Sequence, residues 1–181
     1  MKIETQRLRI RDFRKEDWEA VHEYASNAEV AKYMIWGPNS EGETKAFIDQ
    51  QLTKQQSTER TDYELAVILK ETNQLIGGCG LYIHVTNAEM GYCFNPDYWG
   101  HGYAAEASEA LLKLAFETFH VHRVYATCRP GNTASANVLR RIGMTQEGHL
   151  REHLWHKGTF HDSYLFSILG DEYRSNSAED K

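Results

Sequence analysis

Tyr98-Trp99-Gly100-His101-Gly102-Tyr103-Ala104-Ala105-Glu106-Ala107 places two glycines, one residue apart, at the start of a strongly helical stretch. A strand-like run over 90–95 comes just before it. Glycine lets the backbone turn its N–H groups towards one point and leaves no side chain to block an anion. The helix that follows adds unpaired N–H groups and the positive end of its dipole. The segment is a phosphate cradle without a lysine.

Downstream of the cradle, Ala104, Ala107, Leu111, Leu114/Ala115 and Phe119 recur at helical spacing, with Glu109 and Lys113 paired on the solvent side. The spacing predicts a strand over 123–128, a helix over 132–142 closed by Gly143, and strands over 145–149 and 159–169. Upstream, residues 63–69 and 75–84 form an apolar hairpin around Glu71-Thr72-Asn73-Gln74, and a second turn at Thr86-Asn87 leads into 89–95. Gly77-Gly78-Cys79-Gly80 inside the second run signals a bulge or a close strand approach. Ser40 and Glu43 make a capping box that opens a helix to about residue 56, and Gly37-Pro38-Asn39-Ser40 breaks the chain before it. A strand over 5–13 alternates Leu8, Ile10 and Phe13 against Arg7, Arg9 and Arg11; a helix over 15–25 and further helix over 28–34 follow. The order is β-α-α-β-β-β-α-β-α-β-β, an α+β (mixed α/β) architecture on one mostly antiparallel sheet of about seven strands and about four helices. Residues 1–174 make a single domain, and 175–181 a polar, disordered tail.

With 181 residues, 41% of them hydrophobic, the chain can bury a real core. A net charge of −6 argues against an extended nucleic-acid surface. Three cysteines without close spacing argue against a disulfide framework and fit a reducing compartment. No leader-like or membrane-spanning apolar run is present, so the expectation is a soluble, cytoplasmic protein that binds neither membrane nor nucleic acid.

Three readings compete for the glycine loop. Gly100-x-Gly102-x-x-Ala105 formally matches a dinucleotide fingerprint, but Pro96-Asp97-Tyr98-Trp99 separate it from the strand, and the next strand ends in Cys128-Arg129-Pro130 rather than an acidic residue. A plain glycine turn is the second. The third is the pyrophosphate site of coenzyme A. Residues 88–107 resemble the acyl-CoA motif of the GNAT superfamily of N-acetyltransferases, in its RimJ/RimL-type branch that acetylates ribosomal-protein N-termini. Thr5-Gln6-Arg7-Leu8-Arg9-Ile10-Arg11 resembles that branch's first strand, residues 128–144 its second CoA motif, and 148–152 with 157–162 its C-terminal hairpin. Many superfamily members carry Gln or Arg where this chain has Tyr98.

The resemblance implies a GNAT-like domain splayed between its fourth and fifth strands, acetyl-CoA as cosubstrate and no metal. It implies cofactor contacts from Tyr92, Cys93, Phe94, Trp99, Gly100, His101, Gly102, Tyr103, Ala104, Asn132, Ser135 and Asn137. Acetyl transfer to an amine needs a base for the ammonium proton, N–H donors at the developing oxyanion, and a proton for the departing thiolate. Glu89 is the candidate base, with Glu152 and Tyr164 as alternatives; against it stands an ordinary exposed strand carboxylate. Ser135 is the candidate proton donor, and against Asn132 and Ser135 stands simple helix capping. Cys93 and Cys128 invite an acyl-cysteine route but read better as buried core thiols. His149, His153 and His156 invite a metal but lack a completing set. Tyr33, Trp36, Trp155 and Phe160 either line an acceptor groove or pack. The expected activity is acetyl transfer to a primary amine, first a protein N-terminal α-amine, ribosomal by resemblance, and alternatively a polyamine, amino acid or antibiotic. A non-catalytic acyl-CoA sensor is the contrasting class, and the state is a monomer or a homodimer through the C-terminal strands.

Overall fold

The computed structural model describes residues 1–179. They build one eight-stranded sheet from β1 (Lys2–Glu4), β2 (Leu8–Asp12), β3 (Asp62–Leu69), β4 (Gln74–His84), β5 (Asn87–Phe94), β6 (Arg123–Cys128), β7 (Thr145–His156) and β8 (Thr159–Leu169). The strand order is β1-β2-β3-β4-β5-β6-β8-β7, antiparallel throughout except for β5 against β6.

The strand count exceeds the expected seven because Lys2–Glu4 forms a separate edge strand on Arg9–Arg11. Three residues are too few to show a period. The strand expected over 145–149 continues to His156 as β7, past a register slip between Leu150 and Leu154 that breaks its alternation. Gly77 to Gly80 hold both features foreseen for them. The β3–β4 register shifts between Val67 and Ile68, and a Cβ at Gly77 would stand 2.4 Å from the Cys93 carbonyl oxygen.

Six helices flank the sheet: α1 (Trp18–Ala25), α2 (Ala28–Ala31), α3 (Glu41–Lys54), α4 (Tyr103–Lys113), α5 (Thr133–Arg141) and α6 (Gly170–Glu179). Helix α6 runs through the polar stretch that composition sets apart from residue 175, while residues 180–181 lie outside the described ones. Helix α3 starts as its capping box requires. Ser40 Oγ accepts from the Glu43 N–H at 3.3 Å, and the Glu43 carboxylate accepts from the Ser40 N–H at 2.7 Å.

Strand period 2 divides the core between the two faces. Leu65, Val67, Leu81 and Met90 pack with Leu111 of α4 and Leu139 of α5. Ala66 and Ile68 pack with Phe13, Val21, Tyr24 and Ile48 under α1 and α3. Each fully buried Leu or Ile contributes roughly 1.5–3 kcal/mol. The two helical layers therefore clamp β3, β4 and β5 from both sides, which fixes what these strands present to each face.

Candidate active site

Strands β5 and β6 pair only at Asn87↔Arg123, Ala88↔Val124 and Glu89↔Tyr125. Beyond Glu89 they part, while β5 stays paired with β4 as far as Phe94. One edge of β5 over 90–94 is thus left without a strand partner, its N–H and C=O groups facing the gap. A cavity of about 740 Å³ is lined from both faces around this split. Tyr92, Asn132, Ser135 and Leu139 line it on the α5 side, and Phe13, Tyr24, Phe47, Glu64, Tyr82 and Glu89 on the α1/α3 side.

Past the end of β5 the chain enters the glycine loop. Gly100 and Gly102 have φ of +78° and +79°. A Cβ at Gly100 would meet nothing within 4 Å, so glycine is needed there for its dihedral rather than for room. Gly102 caps α4 with no side-chain bond, and the first intrahelical bond runs from the Glu106 N–H to the Gly102 carbonyl at 3.1 Å. The N–H groups of Tyr103, Ala104 and Ala105 are those that helix geometry leaves without intrahelical partners. The loop residues fit the doubly charged pyrophosphate of CoA through this backbone cradle.

Sequence reading left Arg7 and Glu106 without a role. Arg7 Nη1 donates to the His101 carbonyl at 2.9 Å and Nε to Glu106 Oε2 at 2.6 Å, with its guanidinium 4.6 Å above the Tyr103 ring. Glu106 Oε1 also accepts from Thr5 Oγ1 at 2.6 Å and from the Arg7 N–H at 2.8 Å. Burial works to raise the Glu106 carboxyl, but these bonds hold it below its ordinary value. Arg7 thereby pins the cradle to the sheet's edge. The two residues stand 99 positions apart, and no local pattern joins them. Trp99 Nε1 donates to the Phe94 carbonyl at 2.8 Å, tying the loop to the end of β5, and the His101 ring stacks on Tyr103.

The α5 side of the cavity carries the candidate proton donor. Ser135 Oγ lies 2.9 Å from the Tyr92 hydroxyl, which burial pushes up to about 12. The Ser135 N–H donates to Asn132 Oδ1 at 3.1 Å, so Asn132 does serve as the helix cap while also lining the cavity. Asn137 is exposed on α5, accepts from Arg140 at 3.3 Å, and is not brought to the cavity. Phe94 is buried in the α4-side core, so what it offers a ligand is backbone.

The opposite side carries the carboxylates. Glu89 sits at the last paired position before the split and accepts from the Tyr125 hydroxyl at 3.3 Å. Glu64, missed in the sequence because it lies within an apolar run, lines the same cavity and accepts from the Tyr82 hydroxyl. Burial pushes the Glu64 carboxyl up. The alternatives Glu152 and Tyr164 are not among the cavity's lining residues: Glu152 is exposed, and Tyr164 packs edge-on against His149.

Cys93 is enclosed and pushed up to about 12, and burial raises the Cys128 thiol, so neither presents a thiolate at neutral pH. His149 faces Asp162 at 2.6 Å and His153 faces Ser163 at 3.0 Å. Among the described residues, no group of three His, Cys, Asp or Glu is placed to hold a metal ion. Tyr33 and Trp36 line the cavity, whereas Trp155 and Phe160 pack edge to face against each other, exposed, at the β7–β8 hairpin.

A sheet split beside an unpaired strand edge, with an anion cradle at the following helix, defines a CoA-dependent acyltransferase. The acetyltransferase (GNAT) domain matches residues 7–145. The uncharacterized N-acetyltransferase YnaD of Bacillus subtilis is 37% identical over 175 residues, 96% of this chain and 99% of its own. A GNAT-family acetyltransferase crystal structure from Bacillus anthracis aligns at TM-score 0.85 and 37% identity, covering 94% of this chain and 99% of that one. Spermidine N-acetyltransferase from Vibrio cholerae, solved with CoA and spermine, shares the fold at TM-score 0.79 and 22% identity, over 94% of this chain and 99% of that one. The Escherichia coli ribosomal protein uS5-alanine N-acetyltransferase is 30% identical over 84 residues, 46% of this chain and 43% of its own. The chain belongs to the GNAT family of N-acetyltransferases. Among the described residues no helix is long and apolar enough to cross a membrane.

Proposed function

We propose that the protein passes acetyl from acetyl-CoA directly to a primary amine in a ternary complex, with Glu89 as proton acceptor and Ser135 as proton donor. The carrying observation is their placement: Glu89 and Ser135 line one cavity from opposite faces of the split sheet. Acetyl-CoA supplies the activated thioester. The N–H groups of 100–104 would hold its pyrophosphate, and the free edge of β5 would pair with the pantetheine arm and face the thioester carbonyl. Ser135, hydrogen-bonded to Tyr92, is set to protonate the thiolate. The buried thiols argue for direct transfer over an acyl-cysteine route.

For the acceptor, the RimJ/RimL resemblance and the uS5-alanine relative support a protein N-terminal α-amine. A small amine is the second reading, favoured by the aromatic walls Phe13, Tyr24, Trp36 and Phe47 of the cavity that the three carboxylates Glu43, Glu64 and Glu89 also line.

The test is CoA release with alanine-initiated peptides, spermidine and phenethylamine as acceptors. Glu89→Gln is expected to lower turnover about 100-fold or more and Ser135→Ala about tenfold, both with acetyl-CoA affinity retained. Unchanged turnover in both variants would remove these assignments. No CoA release above hydrolysis with any amine would favour a sensor.

A further inference from the structure

On the α1/α3 face, β3, β4 and β5 align three cross-strand rows: Ala66–Gly78–Cys93, Glu64–Gly80–Gly91 and Asp62–Tyr82–Glu89. The middle row is one carboxylate followed by two residues with no side chain. A Cβ at Gly80 would stand 2.8 Å from the Tyr82 hydroxyl oxygen and 3.2 Å from Glu64 Oε2. Its absence lets the phenol fold back across the strand and donate to Glu64 Oε1. A Cβ at Gly91 would meet nothing within 4 Å, so the next place along the row is open floor. Glu64, Gly80, Tyr82, Glu89 and Gly91 all line the cavity, and Glu64 Oε2 has no hydrogen-bond partner among the described residues.

We infer that Glu64 receives the acceptor's primary ammonium group above Gly91, with Tyr82 holding the carboxylate in position. The inference rests on the proposed transfer to an amine and adds which carboxylate meets the ammonium first. An ammonium nitrogen that becomes an amide nitrogen sheds two protons. Glu64 Oε2 takes the first and frees the lone pair that forms the C–N bond. Glu89 takes the second. As the C–S bond breaks, its electron pair stays on sulfur, which gains one proton by way of Ser135. One proton net passes to solvent per turnover.

The charges around Glu64 suit this duty. Burial raises its carboxyl, the Tyr82 hydrogen bond and Lys54 of α3 draw it back, and Asp62 on its own strand adds to the rise. Tyr24 of α1 and Cys93 of β5 face it as neutral groups held up by burial. Glu89 lies opposite Tyr82 on β5. A carboxylate poised above the ordinary range is the better base near neutrality.

Protein labelled with carboxyl-¹³C glutamate and loaded with CoA, titrated with phenethylamine hydrochloride or spermidine, tests this. The resonance that Glu64→Gln deletes is expected to shift on amine addition. Glu64→Gln should weaken amine binding about tenfold, keep CoA affinity, and lower acceptor kcat/KM about 100-fold with loss of the acidic limb of the pH profile. Tyr82→Phe should lower acceptor kcat/KM less than Glu64→Gln does and move that limb to higher pH, because the bond that lowers the Glu64 carboxyl is gone. A Glu64 resonance indifferent to both amines, or a Glu64→Gln enzyme within threefold of wild type, would overturn the inference. Wild-type protein that binds amine at Glu64 yet transfers no acetyl would instead defeat the broader activity.

Discussion

In the proposed function, the glycine loop that opens α4 and the chamber around Glu64 achieve recognition by different means. The loop works with backbone N–H groups, and its key residues are consecutive in the chain. The chamber works with side chains from α1, α3, β3, β4 and β5, brought together by sheet register. Under that proposal the loop serves any member that carries the same cosubstrate, since it meets only phosphate. Under the same proposal the chamber reads the acceptor, and a few side-chain changes there would alter what fits. This contrast explains why the donor follows from family membership while the acceptor requires argument from individual residues.

Several perturbations would break or sharpen the contrast. Within the loop the largest effect is expected from Gly102→Ala. A Cβ at φ +79° costs about 1–2 kcal/mol, so acetyl-CoA should bind roughly tenfold more weakly, with acceptor KM unchanged. Calorimetry and steady-state kinetics would separate the two, and a matching rise in acceptor KM would merge the regions. Arg7→Ala should weaken acetyl-CoA binding several-fold by loosening the loop from outside, again without altering the pH profile of transfer. An altered pH profile would mean that Arg7 acts on the chamber.

The chamber should reveal itself through stability. A carboxyl raised in the folded state binds more protons there than in the unfolded chain, so its contribution favours folding at low pH and turns against it as pH rises through the raised value. Glu64→Gln should therefore melt higher than wild type at pH 8, with the gain vanishing towards pH 4. A constant difference across that range would show that Glu64 carries no such strain. Ser40→Ala, which removes the cap of α3, should cost about 1 kcal/mol, or roughly 2–4 °C in Tm by calorimetry.

Legibility in the sequence follows the same division. The two-glycine turn, the α3 capping box and the α5 cap at Asn132 have local signatures, whereas the split after Glu89 is legible only through the family resemblance. Glu64 has none. It sits in a strand whose apolar neighbours announce only a core, and its partner Tyr82 is 18 positions away. Arg7 and Glu106 both lie in segments that resemble the family's motifs, yet nothing in either segment points to the other. Asn137 shows the converse, since its place in a family-like motif does not bring it to the cavity.

By itself, the chain's order of residues determined the α/β class and the two-glycine turn, because glycine dihedrals, helix caps and strand alternation act over a few neighbouring positions, and it carried the family through the resemblance of its motifs. Only the tertiary structure decided that Glu64, Gly80, Tyr82, Glu89 and Gly91 share one face and one cavity. Register between strands is a property of the whole packed sheet: a slip of one residue would turn each of these side chains to the other side.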